Sequence, residues 1–367
     1  MLIHINRETL LRPLQAVAGV AERRHTLPIL SNVLIEATPS RLTFIATDLE
    51  IQITVTLENP GLTEEFAITT SARKLLDICR SLSEGADLSL ALDEGKIKIK
   101  AGSSHFQLQT LPAEDFPKFK SSSEAAARLQ LEQHGFKKLI HRVQYAMAQQ
   151  DIRYYLNGLL LLAEAQNMKA VTTDGHRLAM CGVELKGENS KQEVILPRKT
   201  VTELIKLLSE DEALIDIELR PTQAKFSFAN IIFESKVIDG KFPDYQKVVP
   251  TGYTKQITLS RLALLQAMQR TAILANDKFR GVRLMLTPNN LSVACSNNEN
   301  EEAQEDLPVS YEGESLDIGF NINYLMDVLN NLNSEEVSLA FGEATSSCLI
   351  TAPNDAEFKY VVAPIRI

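Results

Sequence analysis

A chain of 367 residues, 44% hydrophobic and 23% charged, is long enough to build two or three domains with substantial cores. Its formal net charge of −9 excludes a protein that coats nucleic acid through its overall field, and no apolar run is long enough to span a bilayer. Met1 to Glu8 lacks the basic and apolar regions of a secretory leader, so the expected address is the cytoplasm, with no membrane partner. Cys79, Cys181, Cys295 and Cys348 lie far apart, with no C-x-x-C and no nearby His pair, which predicts reduced thiols, no metal site and no cofactor.

In chain order, Leu10, Leu11, Leu14, Val17 and Ala18 form the apolar stripe of a first helix. Half-exposed strands are expected at Leu42-Thr-Phe-Ile-Ala and Lys96-Ile-Lys-Ile-Lys, on either side of a second stripe, Leu75, Leu76, Cys79 and Leu82. A linker falls near Lys118 to Glu124. The next helices carry Phe136, Leu139, Ile140 and Val143, then, after Pro197, Val201, Leu204, Ile205 and Leu208. A second linker falls near Val249 to Lys255. Ser260 opens a helix with Leu262, Leu265 and Met268, and the last stripe is Tyr324, Leu325, Val328 and Leu329.

These elements repeat. The second helix of each third carries Lys74, Lys199 and Tyr324 at intervals of 125 residues. Ala-Thr-Asp48, Thr-Thr-Asp174 and Cys-Ser-Asn297 recur as strand ends, and Phe116-Pro117 recurs as Phe242-Pro243. Three copies of one α+β domain are expected, at 1–120, 128–248 and 254–367, each with helices on one face of an antiparallel sheet.

The polar faces of the helices are rich in cations: Arg7 and Arg12, Arg73 and Arg80, Lys137, Lys138 and Arg142, Arg198, Lys199 and Lys206, Arg261 and Arg270. On one helix such a face only keeps the helix solvated. Recurring in an otherwise acidic chain, it predicts sequence-blind contact with a phosphate backbone. There is no helix-turn-helix, zinc finger or tryptophan to read bases.

Seven segments resemble the bacterial sliding-clamp family, the beta subunit of DNA polymerase III. They are Leu-Pro-Ile-Leu-Ser-Asn at 27–32, Ala-Thr-Asp-Leu-Glu at 46–50, Gln-Asp-Ile-Arg-Tyr-Tyr-Leu-Asn-Gly at 150–158, Thr-Asp-Gly-His-Arg-Leu at 173–178, Lys-Phe-Pro-Asp-Tyr at 241–245, Lys-Phe-Arg-Gly-Val at 278–282 and the C-terminal Tyr-Val-Val-Ala-Pro-Ile-Arg-Ile. The resemblance runs through all three repeats. It implies a non-catalytic homodimer closed head to tail into a ring around double-stranded DNA, with helices lining the interior and antiparallel sheets outside. The implied partners are the polymerase III catalytic subunit, the clamp loader, and other DNA polymerases and repair proteins that insert a short linear motif.

The same resemblance implies three sets of residues. Arg24, Gln150 and Tyr154 would touch DNA, joined by the helix cations Arg73 and Lys199. A partner-peptide cleft would comprise Leu156, Thr173, Gly175, His176, Arg177, Leu178, Pro243, Val248, Asn321, Tyr324, Ser347, Val361, Val362, Pro364, Ile365 and Arg366. Phe106 would meet Ile273 and Leu274 across the subunit interface, and the acidic run Glu299 to Asp306 could face Lys74 and its neighbours there. The chain departs from the family pattern at Ala363 and Ile365, where methionines are common, and at Ser103, Ser104 and His105, where arginines are.

An enzyme would have to use Asp174 and His176, as a hydrolase. General-base catalysis needs a histidine oriented by a carboxylate, and no P-loop, G-x-S-x-G or H-E-x-x-H is present. Asp48, the counterpart of Asp174, has no histidine two residues on, which favours a turn-capping aspartate at both places. A scaffold with no DNA role is the other alternative.

Overall fold

A computed structural model of the chain describes residues 2–21, 27–58, 65–93, 95–120 and 127–366. Among the described residues are six α-helices, α1 (Arg7–Val17), α2 (Ala72–Ser81), α3 (Gln133–His141), α4 (Arg198–Leu207), α5 (Arg261–Thr271) and α6 (Ile322–Asn331), and strands paired antiparallel throughout. None of these helices is long and apolar enough to cross a membrane.

Four helices start by one local device. The strand before each ends in a short polar residue whose side-chain oxygen accepts a free backbone N–H of the first turn. Asn6 accepts from Glu8, Ser71 from Lys74, Ser260 from Ala263, and Asn321 from Asn323. The predicted stripes then face inward: Leu10, Leu14, Val17, Leu75, Leu76, Cys79, Phe136, Leu139, Ile140, Val201, Leu204, Leu265, Met268, Leu325, Val328 and Leu329 are buried. Each such side chain contributes roughly 1.5–3 kcal/mol. Leu262 departs from expectation. It is 52% exposed, and Leu264 and Ala267 complete the buried face of α5 instead.

The chain forms two compact units that divide the middle third between them. The first comprises 1–134 and 202–237. Its twelve strands run in the order Leu2–Asn6, Asp87–Asp93, Lys96–Ala101, Ser104–Leu111, Phe66–Ser71, Asn32–Thr38, Arg41–Thr47, Ile51–Glu58, Ile231–Lys236, Gln223–Phe228, Leu214–Leu219, Ala127–Glu132. Lys96–Ala101 alternates as predicted, whereas Arg41–Thr47 is buried nearly throughout because α1 packs against it. Ser104–Leu111 pairs with Phe66–Ser71 only at Leu111 and Thr110, with the Thr70 hydroxyl reaching the Gln109 carbonyl, so among the described residues Ser104 to Leu108 have no strand partner on that side.

The second unit comprises 135–201 and 238–367. One sheet has the order Gly158–Thr173, Arg177–Pro197, Asp355–Val362, Cys348–Ala352, Glu336–Phe341, Lys255–Ser260, and another Glu302–Pro308, Asn290–Ser296, Gly281–Thr287, Leu316–Asn321. Glu302–Pro308 is a sheet edge. The very long first pair, irregular at Ala163 to Asn167, was not foreseen from the sequence.

Candidate functional site

The repeated strand ends are one turn built three times. Asp48 Oδ1 accepts the N–H groups of Glu50 and Ile51, Asp174 Oδ1 those of His176 and Arg177, and Asn297 Oδ1 those of Glu299 and Glu301. Thr47 and Thr173 brace the first two turns, each hydroxyl donating to the carbonyl four residues on. Asp174 is therefore spent on its own turn, and its other oxygen takes Arg177 Nε at 3.0 Å. The His176 side chain is exposed.

Each of the first two turns leads into a strand that pairs across a seam. At the second, Arg177 stands opposite Val362 and Leu178 opposite Val361, and Ala363 N–H donates to the His176 carbonyl at 2.8 Å. Beside this seam lies a cavity of about 240 Å³. Ten predicted cleft residues line it: Leu156, Thr173, Gly175, His176, Arg177, Leu178, Pro243, Val248, Ser347 and Val361. Arg153, Tyr245 and Ala363 line it as well and were not among the named cleft residues, although all three lie inside matching segments and Ala363 was singled out as a departure from the family pattern.

The other six predicted residues lie off this lining. Asn321 caps α6, Tyr324 packs beside Arg177, Val362 is buried in the sheet, and Ile365 N–H donates to the Gly319 carbonyl. Pro364 is half-buried and Arg366 exposed. The cavity is smaller than the roughly 300–1,000 Å³ of small-molecule sites, a size suited to a few anchoring side chains rather than a whole cofactor. Among the described residues no group of three or more His, Cys, Asp or Glu is arranged to hold a metal.

Two arginines frame this cavity differently. Arg177 Nη1 reaches Asp327 at 2.6 Å, Nη2 donates to the Tyr145 carbonyl at 2.8 Å, and the guanidinium lies 4.3 Å from the Tyr324 ring centroid. Burial opposes its charge, but Tyr360, Asp327 and Asp174 outweigh that and raise its pKa. Arg177 thus holds the wall together instead of presenting a free donor. Arg153 is half-exposed at the rim, clasped by Asp151 at 3.0 and 3.1 Å, and its hydrogen bonds hold the Asp151 carboxyl down to about 2. It lies over Gly175, whose φ of +90° favours glycine and where a Cβ would sit 2.9 Å from Arg153 Nη2.

Of the predicted DNA contacts, Arg24 lies outside the described residues. Gln150 is exposed in left-handed backbone, φ 56°, on a loop braced by two hydrogen bonds between Asn157 and Asp151. On the same loop Tyr154 is 57% and Ile152 95% exposed. Arg73 is exposed and loosely paired with Asp77, and Lys199 is half-buried on α4.

Several cations expected on open helix faces are committed elsewhere. Arg7 Nε donates to the Cys79 carbonyl at the end of α2, and Arg261 Nη1 to the Leu329 carbonyl at the end of α6. Each caps its partner helix, where a positive charge also meets the negative end of the dipole. Arg142 is buried against Asp355, Arg198 donates to the Met147 carbonyl, and Arg270 is bidentate with Glu305. Of the interface candidates, Lys74 is exposed, Phe106 and Leu274 are half-buried, and Ile273 is 78% exposed. All four cysteines are free and buried, and burial raises the Cys79 thiol to about 11.

The repeated domains and the apolar cavity define a protein whose chemistry is binding. The N-terminal, central and C-terminal domain profiles of the DNA polymerase III beta subunit match residues 1–120, 130–244 and 246–366. The beta sliding clamp of Pseudomonas putida is 46% identical over 366 residues, 99% of each chain, and that of Escherichia coli K12 is 40% identical over 365 residues, again 99% of each. The crystal structure of the DNA polymerase III subunit beta from Pseudomonas aeruginosa, 42% identical, covers all of both chains with a TM-score of 0.97. The chain belongs to the DNA polymerase III beta subunit family.

Proposed function

We propose that this chain is a DNA sliding clamp, a non-catalytic processivity factor of three clamp domains at 1–120, 128–248 and 254–367. Two copies would close head to tail around duplex DNA in the cytoplasm and tether the replicative polymerase. The observation that carries this reading is a pair of strands that, among the described residues, lack the cross-seam partner their counterparts have at the first and second seams. Aligning the hairpin turns that follow Ala101 and Phe228 makes Phe106 the counterpart of Phe233, which is fully buried opposite Ile53 at the first seam. Phe106 is only half-buried, on the edge that among the described residues is open at Ser104 to Leu108. Glu302–Pro308 is the counterpart of Ile51–Glu58 and among the described residues is likewise a sheet edge. Unpaired edges are liabilities that ring closure removes. In the closed dimer Phe106 would face Ile273 and Leu274 of the second copy, and Lys74 the acidic run Glu299 to Asp306.

Arg24, Gln150, Tyr154, Arg73 and Lys199 would contact DNA phosphates without reading sequence. The cavity at the second seam would take the apolar anchors of a short linear motif shared by the polymerase III catalytic subunit, the clamp loader, and other polymerases and repair proteins, with competition as the consequence. The deciding experiment loads the protein with its clamp loader onto nicked circular DNA, linearises half, and compares retention by gel filtration. Retention on the circle with loss from the linear form is expected. Equal retention on both would replace the clamp with a conventional DNA-binding protein or a scaffold.

A further inference from the structure

The first seam, between Ile51–Glu58 and Ile231–Lys236, contains a buried side-chain amide. Gln52 is 6% exposed and uses both ends of its amide: Nε2 donates to Glu234 Oε2 at 3.1 Å, and Oε1 accepts from the Phe119 N–H at 2.8 Å. Phe119 belongs to the segment that leaves the first domain toward the second. Glu234 stands in a row crossing the strands in register, Arg128, Glu218, Lys225, Glu234 and Gln52, along which the charge alternates up to the neutral amide. Glu218 also pairs with Arg220 at 2.6 Å and lies 3.6 Å from Lys225.

The two ends of a primary amide are nearly the same shape, so its orientation is set by what its partners can accept or donate. An ionised carboxylate only accepts and therefore demands the NH2 end. A backbone N–H only donates and demands the oxygen. With Glu234 ionised the two demands agree and fix one orientation. A protonated Glu234 can donate to the amide oxygen instead, which tolerates the flipped amide, and a flipped amide sets NH2 against the Phe119 N–H.

We propose that Gln52 is a proton-sensitive latch on the segment joining the first and second domains, held closed by the charge on Glu234. The groups facing Glu234 are Lys225 on the adjoining strand, Glu218 and Arg220 on the next, and Gln52 across the seam. Burial raises the Glu234 pKa, against the pull of Lys225, Arg220 and the Gln52 hydrogen bond, which moves its titration toward neutrality. The second seam has no such latch, because Leu178 and Val361 occupy the places of Gln52 and Glu234. The latch belongs to the free chain and does not depend on DNA encirclement.

The test is amide hydrogen exchange at Phe119, corrected for intrinsic rate, from acidic to neutral pH in the full-length wild type, Glu234→Gln and Gln52→Leu. Wild-type protection should fall as the pH drops through the Glu234 titration. Glu234→Gln should sit near the lower level with no pH dependence. Gln52→Leu should lose roughly tenfold in protection at every pH, the equivalent of about one net hydrogen bond. Exchange in Phe66–Ser71 serves as the control for global opening. Flat wild-type protection, or a Glu234→Gln profile matching the wild type, overturns the latch, as does unchanged Phe119 protection in Gln52→Leu. Should Gln52→Leu fail to fold, the Glu234→Gln profile decides alone.

Discussion

The first and second seams share one backbone plan and use it to opposite ends. In both, a capped turn feeds a strand that pairs antiparallel with a neighbour, and one N–H past the pairing returns to the turn: Lys236 to the Glu50 carbonyl, Ala363 to that of His176, both at 2.8 Å. The difference lies in the cross-strand pair one step in. At the first seam it is Gln52 with Glu234, polar, joined by a hydrogen bond and tied to the Phe119 backbone. At the second it is Leu178 with Val361, apolar, and a cavity lies beside it. Phe119 and Tyr245 occupy matching places after the two Phe-Pro junctions; at the first the opposite strand offers the backbone the Gln52 side-chain oxygen, where the second has Leu178. At the second seam the matching places are apolar, and Leu178 and Val361 form part of the cavity wall instead of bonding each other.

The largest way to break the comparison is to remove what props the open seam. Arg177→Ala leaves Asp174 and Asp327 without their cation and the Tyr145 carbonyl without its donor, so it should cost about 3 kcal/mol in urea unfolding. Peptide affinity should fall with it, through collapse of the wall rather than loss of a ligand contact. A milder exchange sharpens the point. Leu178→Gln installs the residue of the first seam at a buried apolar place and should cost about 2 kcal/mol, with at least a tenfold loss of peptide affinity. Adding Val361→Glu should recover about 1 kcal/mol through the restored bond while leaving peptide binding lost, a coupling that a double-mutant cycle measures.

Much of this plan was legible in the sequence, and the exceptions have physical causes. The Asp48, Asp174 and Asn297 turns were readable because a short carboxylate or amide capping its own backbone is a local event. The helices were readable because Leu10, Leu75, Phe136, Val201, Met268 and Leu325 recur at helical spacing. The destination of the cations was not. Arg7 and Arg261 look like solvated charges on a helical wheel, yet each caps a helix some seventy residues away. A signal was present: both occupy the first helical position after a strand in equivalent copies. Arg142 gave no such sign, since Asp355 is 213 residues distant. Arg153 and Tyr245 joined the cavity through loop geometry, which periodicity does not encode.

At the closed seam the effects are smaller. Gln52→Leu strands the Phe119 N–H and removes one partner of Glu234, so it should cost about 1–2 kcal/mol in the same unfolding measurement. Glu234→Gln should be smaller still and runs the other way. Because burial raises the folded-state pKa of Glu234, the folded chain holds this proton where the unfolded chain has lost it. Its contribution to stability is then complete below the unfolded-state value and is lost as the pH rises through the folded one. At neutral pH the ionised carboxylate is a liability, so Glu234→Gln should leave stability unchanged or raise it by under about 1 kcal/mol, and should remove this group's share of the acid-side slope. A marked loss of neutral stability in Glu234→Gln would mean that the row through Lys225 and Glu218 depends on the charge more than burial penalises it, and the contrast between a polar seam tolerated for its latch and an apolar seam left open would have to be redrawn.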